Sequence, residues 1–214
     1  PIPFRHHDNP DYNELEKLKE FLKARGLRKG MAESNPRKKL NNWLQEIKQK
    51  DKSFSLIYQI LRSMKLAIYS GKESNHFALG LDEYCHFTSP IRRYSDLVTH
   101  RVIKSIIEKK GSSYSQDEID EIASVCSEKD READKIVRES SKYLNCKCAE
   151  QHIGKEFTGE VVAVLEFGVF MHIDGLNIEG FCHVKNFKRS PYYVHDATAH
   201  SLTLSLIHIS EPTR

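Results

Sequence analysis

Apolar positions recur at helical spacing through the first two thirds of the chain and change to strand-like alternation near Gly154. In "ELEKLKEFLKAR", Leu15, Leu18 and Leu22 share one face, with Asn13 as the predicted cap and Gly26 as the stop. A second helix follows Asn35, with Pro36 in its first turn and Leu40, Trp43, Leu44 and Ile47 along one side. "SLIYQILRSMKLAIYS" predicts a third helix, apolar on most sides and therefore buried. "GKESNHFALGLDEYCHF" has glycines and no steady period, which predicts a long loop holding at most one short strand. A helix is then expected from about Pro90 to Glu108. Ser115 and Glu118 form a capping box for a last, long helix through "SQDEIDEIASVCSEKDREADKIVRESSKYLNCKCAE". Past Gly154, β-branched runs and turn glycines at Gly168, Gly175 and Gly180 predict short strands. The expected class is α+β: a mainly helical part to residue 152, then a small β-barrel.

Composition narrows the picture a little. The chain has 214 residues, 39% hydrophobic and 29% charged, with a net charge of +3. That is ordinary for a globular protein and permits an acidic partner such as nucleic acid without demanding one. Five cysteines without regular spacing argue against a disulfide framework and for a reducing compartment. Cys146 and Cys148 lack a second pair to complete a zinc site. No stretch approaches the roughly 20 apolar residues of a membrane span.

Arg92 and Arg93, in "HFTSPIRRYSDL", pose a problem of placement. Thr88 or Ser89 would cap the expected helix, which puts both arginines at the positive end of its dipole. Helical phase sets Arg92 between the faces of Ile103 and Ile106, partly buried and needing an anion, with Arg93 left solvated. Two accounts stay open. Either arginine could pair with Asp96 as a weak surface salt bridge. Alternatively, guanidinium and free N–H groups together could hold a phosphate. Tyr94 shares an apolar face with Ile91 and Val98, which favours a core role. His6, His7 and Asp8 fit a turn better than a metal cluster. His86 and His100 fit buried or lining positions better than proton shuttles.

The wider segment "HFALGLDEYCHFTSPIRRYSDLVTHRVIK" resembles the signature of the ribonuclease II/ribonuclease R family, whose catalytic RNB domain carries an HFTSPIRRY run. "FRHHDNP", "LRSMKLAIYS" and "CSEKDREADKIVRES" agree with it, so the resemblance covers roughly residues 1–150. It implies a processive, magnesium-dependent exoribonuclease that degrades single-stranded RNA from the 3′ end to nucleoside 5′-monophosphates. It implies a catalytic, phosphate-holding role for Arg92, and RNA-channel roles for Arg93, Thr88, Ser89, Tyr94 and His76. The family's metal-binding aspartates stand upstream of this segment, and no tight aspartate cluster corresponds to them here. Asp8 and Asp11 suit a turn, Asp117 and Asp120 a helix start, and Asp130 and Asp134 a solvated helix face. The chain alone is therefore expected not to cleave RNA, and no metal ligand is assigned.

"FTGEVVAVLEFGVFMHIDGLNIEGFCHVKNF" resembles the opening strands of an S1 domain, an OB-fold barrel. Such barrels stack bases on aromatic rings while cations follow the backbone. The implied RNA contacts are Phe167, Phe170, His172, His183 and Lys185, with Lys188 nearby; alternation leaves a core role open for Phe170 and His172. Residues 1–152 are thus expected to be the C-terminal part of an RNB domain and 153–202 a partial S1 domain. Residues 203–214, "TLSLIHISEPTR", break the S1 pattern and are expected to be a non-native tail. The leading expectation is a cytoplasmic exoribonuclease fragment with single-stranded RNA as partner and no membrane. The alternatives are a non-catalytic RNA-binding module and, more weakly, a scaffold built on the long helix.

Overall fold

The computed structural model describes residues 1–50, 54–176, 178–187, 193–196 and 201–204. In chain order these form β1 (Phe4–His6), α1 (Tyr12–Ala24), α2 (Pro36–Lys50), α3 (Phe54–Arg62), β2 (Ile68–Ser70), α4 (Tyr94–Ile107) and α5 (Gln116–Glu150). Then follow β3 (Gly159–Leu165), β4 (Gly168–Ile173), β5 (Ile178–His183), a 3-10 turn (Val184–Asn186), β6 (Tyr193–Asp196) and β7 (Ser201–Leu204). The protein is α+β. Its two compact units do not follow chain order. One joins residues 1–10 to 64–151; the other joins residues 11–63 to the strands after 152.

In the first unit β1 pairs antiparallel with β2, with Arg5 opposite Tyr69. The N–H of Tyr69 donates to Ser127 Oγ on α5 at 2.8 Å, and that hydroxyl donates back to Ala123 O. Val98 and Val102 of α4 and Ile119 and Ala123 of α5 fill the core between them. The capping box of α5 forms as its spacing requires: Glu118 N donates to Ser115 Oγ and Ser115 N to Glu118 Oε2. "KLAIYS" is not helical. The third helix stops at Arg62, and the expected continuation becomes β2, because pairing with β1 and Ser127 outweighs an apolar run that also suits a helix. Nor is the shortened helix buried on most sides; Leu56 and Ile60 face inward while Leu61 is exposed.

In the second unit α1, α2 and α3 bury Leu22, Trp43, Ile47 and Ile60. The cap of α1 is Asp11, two residues before the expected Asn13. Asn35 does cap α2, its Oδ1 accepting from Lys38 N at 3.1 Å. The strands form a three-stranded antiparallel sheet in the order β3-β4-β5, and β6 pairs with β7. Helix α3 docks on β3: Glu160 accepts from Phe54 N and Ser55 N, both at 3.0 Å, and Gln59 Nε2 donates to Val162 O. A strand carboxylate thus caps a helix about a hundred residues earlier in the chain.

Candidate functional site

Helix α4 begins at Tyr94, not Pro90. Residues 89–93 instead form a tight turn in which Ser89 O accepts from both Arg92 N (3.3 Å) and Arg93 N (3.0 Å). Arg93 is the N-cap, extended at φ −122° and ψ 114°, with no side-chain cap. Thr88 and Ser89 therefore do not cap the helix. The four-residue shift reverses the expected burial of the arginines. Arg93 turns inward with its side chain 23% exposed, and Arg92 turns out to solvent.

Asp96 makes this turn possible. It is fully buried, with Oδ2 accepting from Ser89 N and Arg93 Nη2, each at 2.8 Å, and Oδ1 accepting from Ser95 Oγ at 3.2 Å. Burial alone would push its carboxyl up, but the Ser89 N–H, the Arg93 guanidinium and Ser95 outweigh it and hold the carboxyl below its ordinary value. A second staple lies at the other end of the segment. The ring of His100 stacks on Phe87 at 4.3 Å, with Nε2 2.7 Å from Phe87 O. Held from both ends, the turn presents Thr88, Ile91 and Arg92 outward, with Ile91 98% exposed. Among the described residues the Arg92 guanidinium makes no hydrogen bond or ion pair. It is an exposed cation on a turn fastened from both ends.

Beneath the turn lies a polar cluster. Arg5 pairs with Asp130 at 2.8 Å and lies over the Tyr69 ring at 4.6 Å. Tyr69 Oη is 2.9 Å from His86 Nδ1. Burial, then Arg93 and Arg5, push the His86 imidazole below its ordinary pKa, so it is neutral near pH 7. Asp130 is thus an ion-pair partner rather than a merely solvated residue. His76 is buried, stacked on His7 at 5.1 Å and edge-on to Tyr84 at 5.4 Å. Its Nδ1 accepts from Leu79 N. It supports the segment from inside instead of facing an open surface. Tyr94 is half exposed, so the core role that its spacing favoured is not the one it takes.

In the second unit, four rings gather on the β3-β4-β5 sheet. Phe181 is the centre: 5.7 Å from Phe167, 5.0 Å from Phe170 and 6.3 Å from His183. Phe167 is 52% exposed and Phe181 44%, while Phe170 is half-buried. His183 Nδ1 accepts from Lys185 N, and the Lys185 side chain is exposed. His172 goes elsewhere, stacking on Phe54 of α3 at 4.5 Å. Phe181 was not singled out from the sequence, although its place opposite Phe170 follows once the register of β4 and β5 is known. Lys188 lies outside the described residues.

Among the described residues no three His, Cys, Asp or Glu side chains come together in a way that could hold a metal ion. Cys146 and Cys148 are exposed free thiols on α5. No helix among the described residues is long and apolar enough to cross a membrane.

One unit thus carries an outward arginine on a tight turn, and the other an aromatic strand face. The RNB domain matches residues 1–109 and the S1 RNA binding domain residues 150–201, so the chain belongs to the RNB family and is ribonuclease R-like. It is 36% identical over 203 residues to ribonuclease R of Vibrio cholerae, an alignment covering 89% of this chain and 25% of that protein. The fold is similar to Mycoplasma genitalium RNase R in complex with ribose methylated single-stranded RNA (TM-score 0.84, 25% identity, 96% of this chain and 33% of that one). It also resembles the yeast pseudonuclease Ssd1 in fold (TM-score 0.72, 22% identity, 85% of this chain and 23% of that one). The chain spans about a quarter of the length of the curated relatives it matches.

Proposed function

We propose that this chain is the phosphate-clamping and S1 portion of a ribonuclease R-like 3′→5′ exoribonuclease acting on single-stranded RNA. The observation that carries the proposal is the exposed Arg92 guanidinium, without a partner among the described residues and held outward by a turn that Asp96 and His100 fasten from within. Its role is to grip the scissile phosphate; Arg93 acts through Asp96 as a positioning residue, and Thr88, Ser89 and Tyr94 flank the phosphate. His76 supports the segment. Phe167, Phe170 and Phe181, with His183 and Lys185, form the stacking face of the S1 part. His172, already stacked on Phe54, is the weakest of the aromatic candidates.

We assign residues 1–152 to the RNB part, 153–202 to a partial S1 part, and 203–214 to a non-native tail; of the tail, 205–214 lie outside the described residues. The whole enzyme would use magnesium and release nucleoside 5′-monophosphates in the cytoplasm. The described residues bring together no side chains that fit a metal, and this chain alone should bind RNA without cutting it. A non-catalytic RNA-binding module is the second reading, favoured by the S1 RNA binding domain match over residues 150–201.

The test is binding of fluorescent single-stranded RNA across a salt series, with magnesium and a cleavage readout, for the wild type and Arg92→Ala. Salt-sensitive binding that the substitution weakens, without cleavage, supports the proposal. Binding indifferent to Arg92 refutes the clamp. Cleavage by the pure chain refutes its inactivity.

A further inference from the structure

Charge is unevenly distributed along this chain. Residues 23–50 hold nine lysines and arginines against two glutamates, Glu33 and Glu46, while the whole chain carries only +3. The remainder is therefore net negative, and the excess of cations belongs to one stretch: the end of α1, the turn after it, and α2.

The fold gathers these cations on one surface. The exposed side of α2 carries Arg37, Lys38, Asn41, Gln45, Lys48 and Gln49, with no acidic residue among them. Its one acid, Glu46, points inward and is buried. Glu46 Oε2 accepts from Arg28 N (3.0 Å) and Lys29 N (2.7 Å), and Oε1 accepts from Lys50 Nζ (2.6 Å). Lys50 Nζ also donates to Gly26 O, and Lys29 Nζ to Gln49 Oε1. A buried carboxylate thus fastens the basic turn against the basic helix. The glutamates of α1 offset only two of these cations, Glu20 lying 3.7 Å from Lys23 and Glu16 3.7 Å from Lys39, while Glu14 pairs with Lys17 of its own helix.

The side chains of Arg28, Lys38 and Lys48 make no hydrogen bond or ion pair among the described residues. A charged helix face is ordinarily just solvated. Here, however, like charges are held together by a buried anion, so the surface carries a repulsion that a polyanion would relieve. Lys38 and Lys48 lie ten residues apart, about 15 Å along the helix. That span suits a chain of phosphates better than one phosphate, and the amides of Asn41 and Gln45 between them can hydrogen-bond sugar or phosphate oxygens. The same compact unit carries the Phe167–Phe181 ring cluster, and rings combined with cations are the usual means of holding single strands.

We propose that the basic face of α2, with the turn from Arg25 to Lys29, is a second RNA-binding surface that grips the sugar-phosphate backbone of single-stranded RNA without reading its sequence. This rests on the RNA-binding reading given under Proposed function and adds a contact region to it.

The experiment measures binding of a fluorescein-labelled oligouridylate to the full chain across a salt series. Replacing Arg28, Lys38 and Lys48 together by Ala removes three phosphate contacts, each contributing about 0.7 to the log–log salt slope. The slope should fall by about 2, and affinity at 0.1 M salt by about 100-fold. All three are exposed, so the variant should melt like the wild type. A matched control, Lys129→Ala with Lys135→Ala and Lys147→Ala on α5, removes the same charge elsewhere and should bind like the wild type. Unchanged affinity and slope in the first triple variant would overturn the proposal, as would an equal loss in the control. If Arg92→Ala weakens binding and the first triple variant does not, the clamp stands and the α2 surface falls. If the wild type does not bind RNA, both fall. Preference for polyglutamate over RNA would mark an acidic protein as the partner and also overturn it.

Discussion

Replacing Asp96 by Asn tests the construction of the arginine turn most directly. The carboxylate receives three donors in a fully buried position: Ser89 N and Arg93 Nη2 on Oδ2, and Ser95 Oγ on Oδ1. Asparagine keeps one oxygen. Its amide group must face at least one of those donors, and Arg93 loses its counter-charge. Breaking a buried pair by neutralising one partner costs about 3–5 kcal/mol. Arg93 keeps some contact with water, so the lower end, about 3 kcal/mol, is expected. The first compact unit has about 100 residues. At roughly 4–8 °C per kcal/mol for a unit of that size, Tm should fall by about 12 °C or more. Calorimetry on the wild type, Asp96→Asn, Arg93→Ala and the double variant would give the coupling directly, expected at about 1.5 kcal/mol or more. RNA affinity should fall in parallel, because the turn that presents Arg92 loosens. A Tm drop below about 4 °C, or additive single effects, would refute the reasoning.

Two further outcomes follow from the geometry. Burial lowers the imidazole pKa of both His76 and His86, aided by His7 at His76 and by Arg93 and Arg5 at His86. The folded state then takes up a proton less readily than the unfolded chain, whose histidines titrate near ~6.5. Stability is accordingly complete above that pH and lost as the pH falls from there through the lowered folded values. Thermal melts between pH 8 and pH 5 should show Tm falling on the acid side, less steeply in His86→Gln; a Tm that rises there would reverse the assigned sign. At Gly168 a Cβ would stand 2.5 Å from both Cys182 O and Phe181 Cζ. Gly168→Ala should therefore cost about 2 kcal/mol in urea unfolding and weaken RNA stacking on Phe181, whereas unchanged stability would refute the close packing at the start of β4.

Local signals were legible wherever the residues that make an element lie close together in the chain. Ser115 and Glu118 form their box within one turn, and Asn35 with Pro36 starts α2 as composition suggests. The start of α4 was not legible in the same way. "TSPIRRY" satisfies every rule for a helix entry, yet Asp96 reaches back seven residues to hold Ser89 N and shapes a turn in its place. Residues 68–70 carry apolar character equally suited to helix or strand; β1, more than sixty residues upstream, decides it. The exposure of Arg92 was not legible, because it follows from a helix that begins at Tyr94 and not at Pro90. Alternation placed Phe170 and His172 on one face, correctly as a period, without revealing that Phe54 waits for one and Phe181 for the other.

The cap that Glu160 provides for α3 has a consequence during synthesis. Helices α1–α3 leave the ribosome well before the strand that completes them, with the whole of residues 64–151 made in between. At about 5–20 residues per second, that delay lasts on the order of 4–18 s. For this interval the start of α3 lacks the Glu160 carboxylate that caps it, and the side of α3 that docks on β3 has no native partner. The nested unit can meanwhile fold behind them from its own contiguous segment, apart from β1, which is already made. A newborn chain of this kind offers chaperones a timed target, and slowing translation after residue 63 should lengthen its exposure to proteolysis more than slowing it after residue 183.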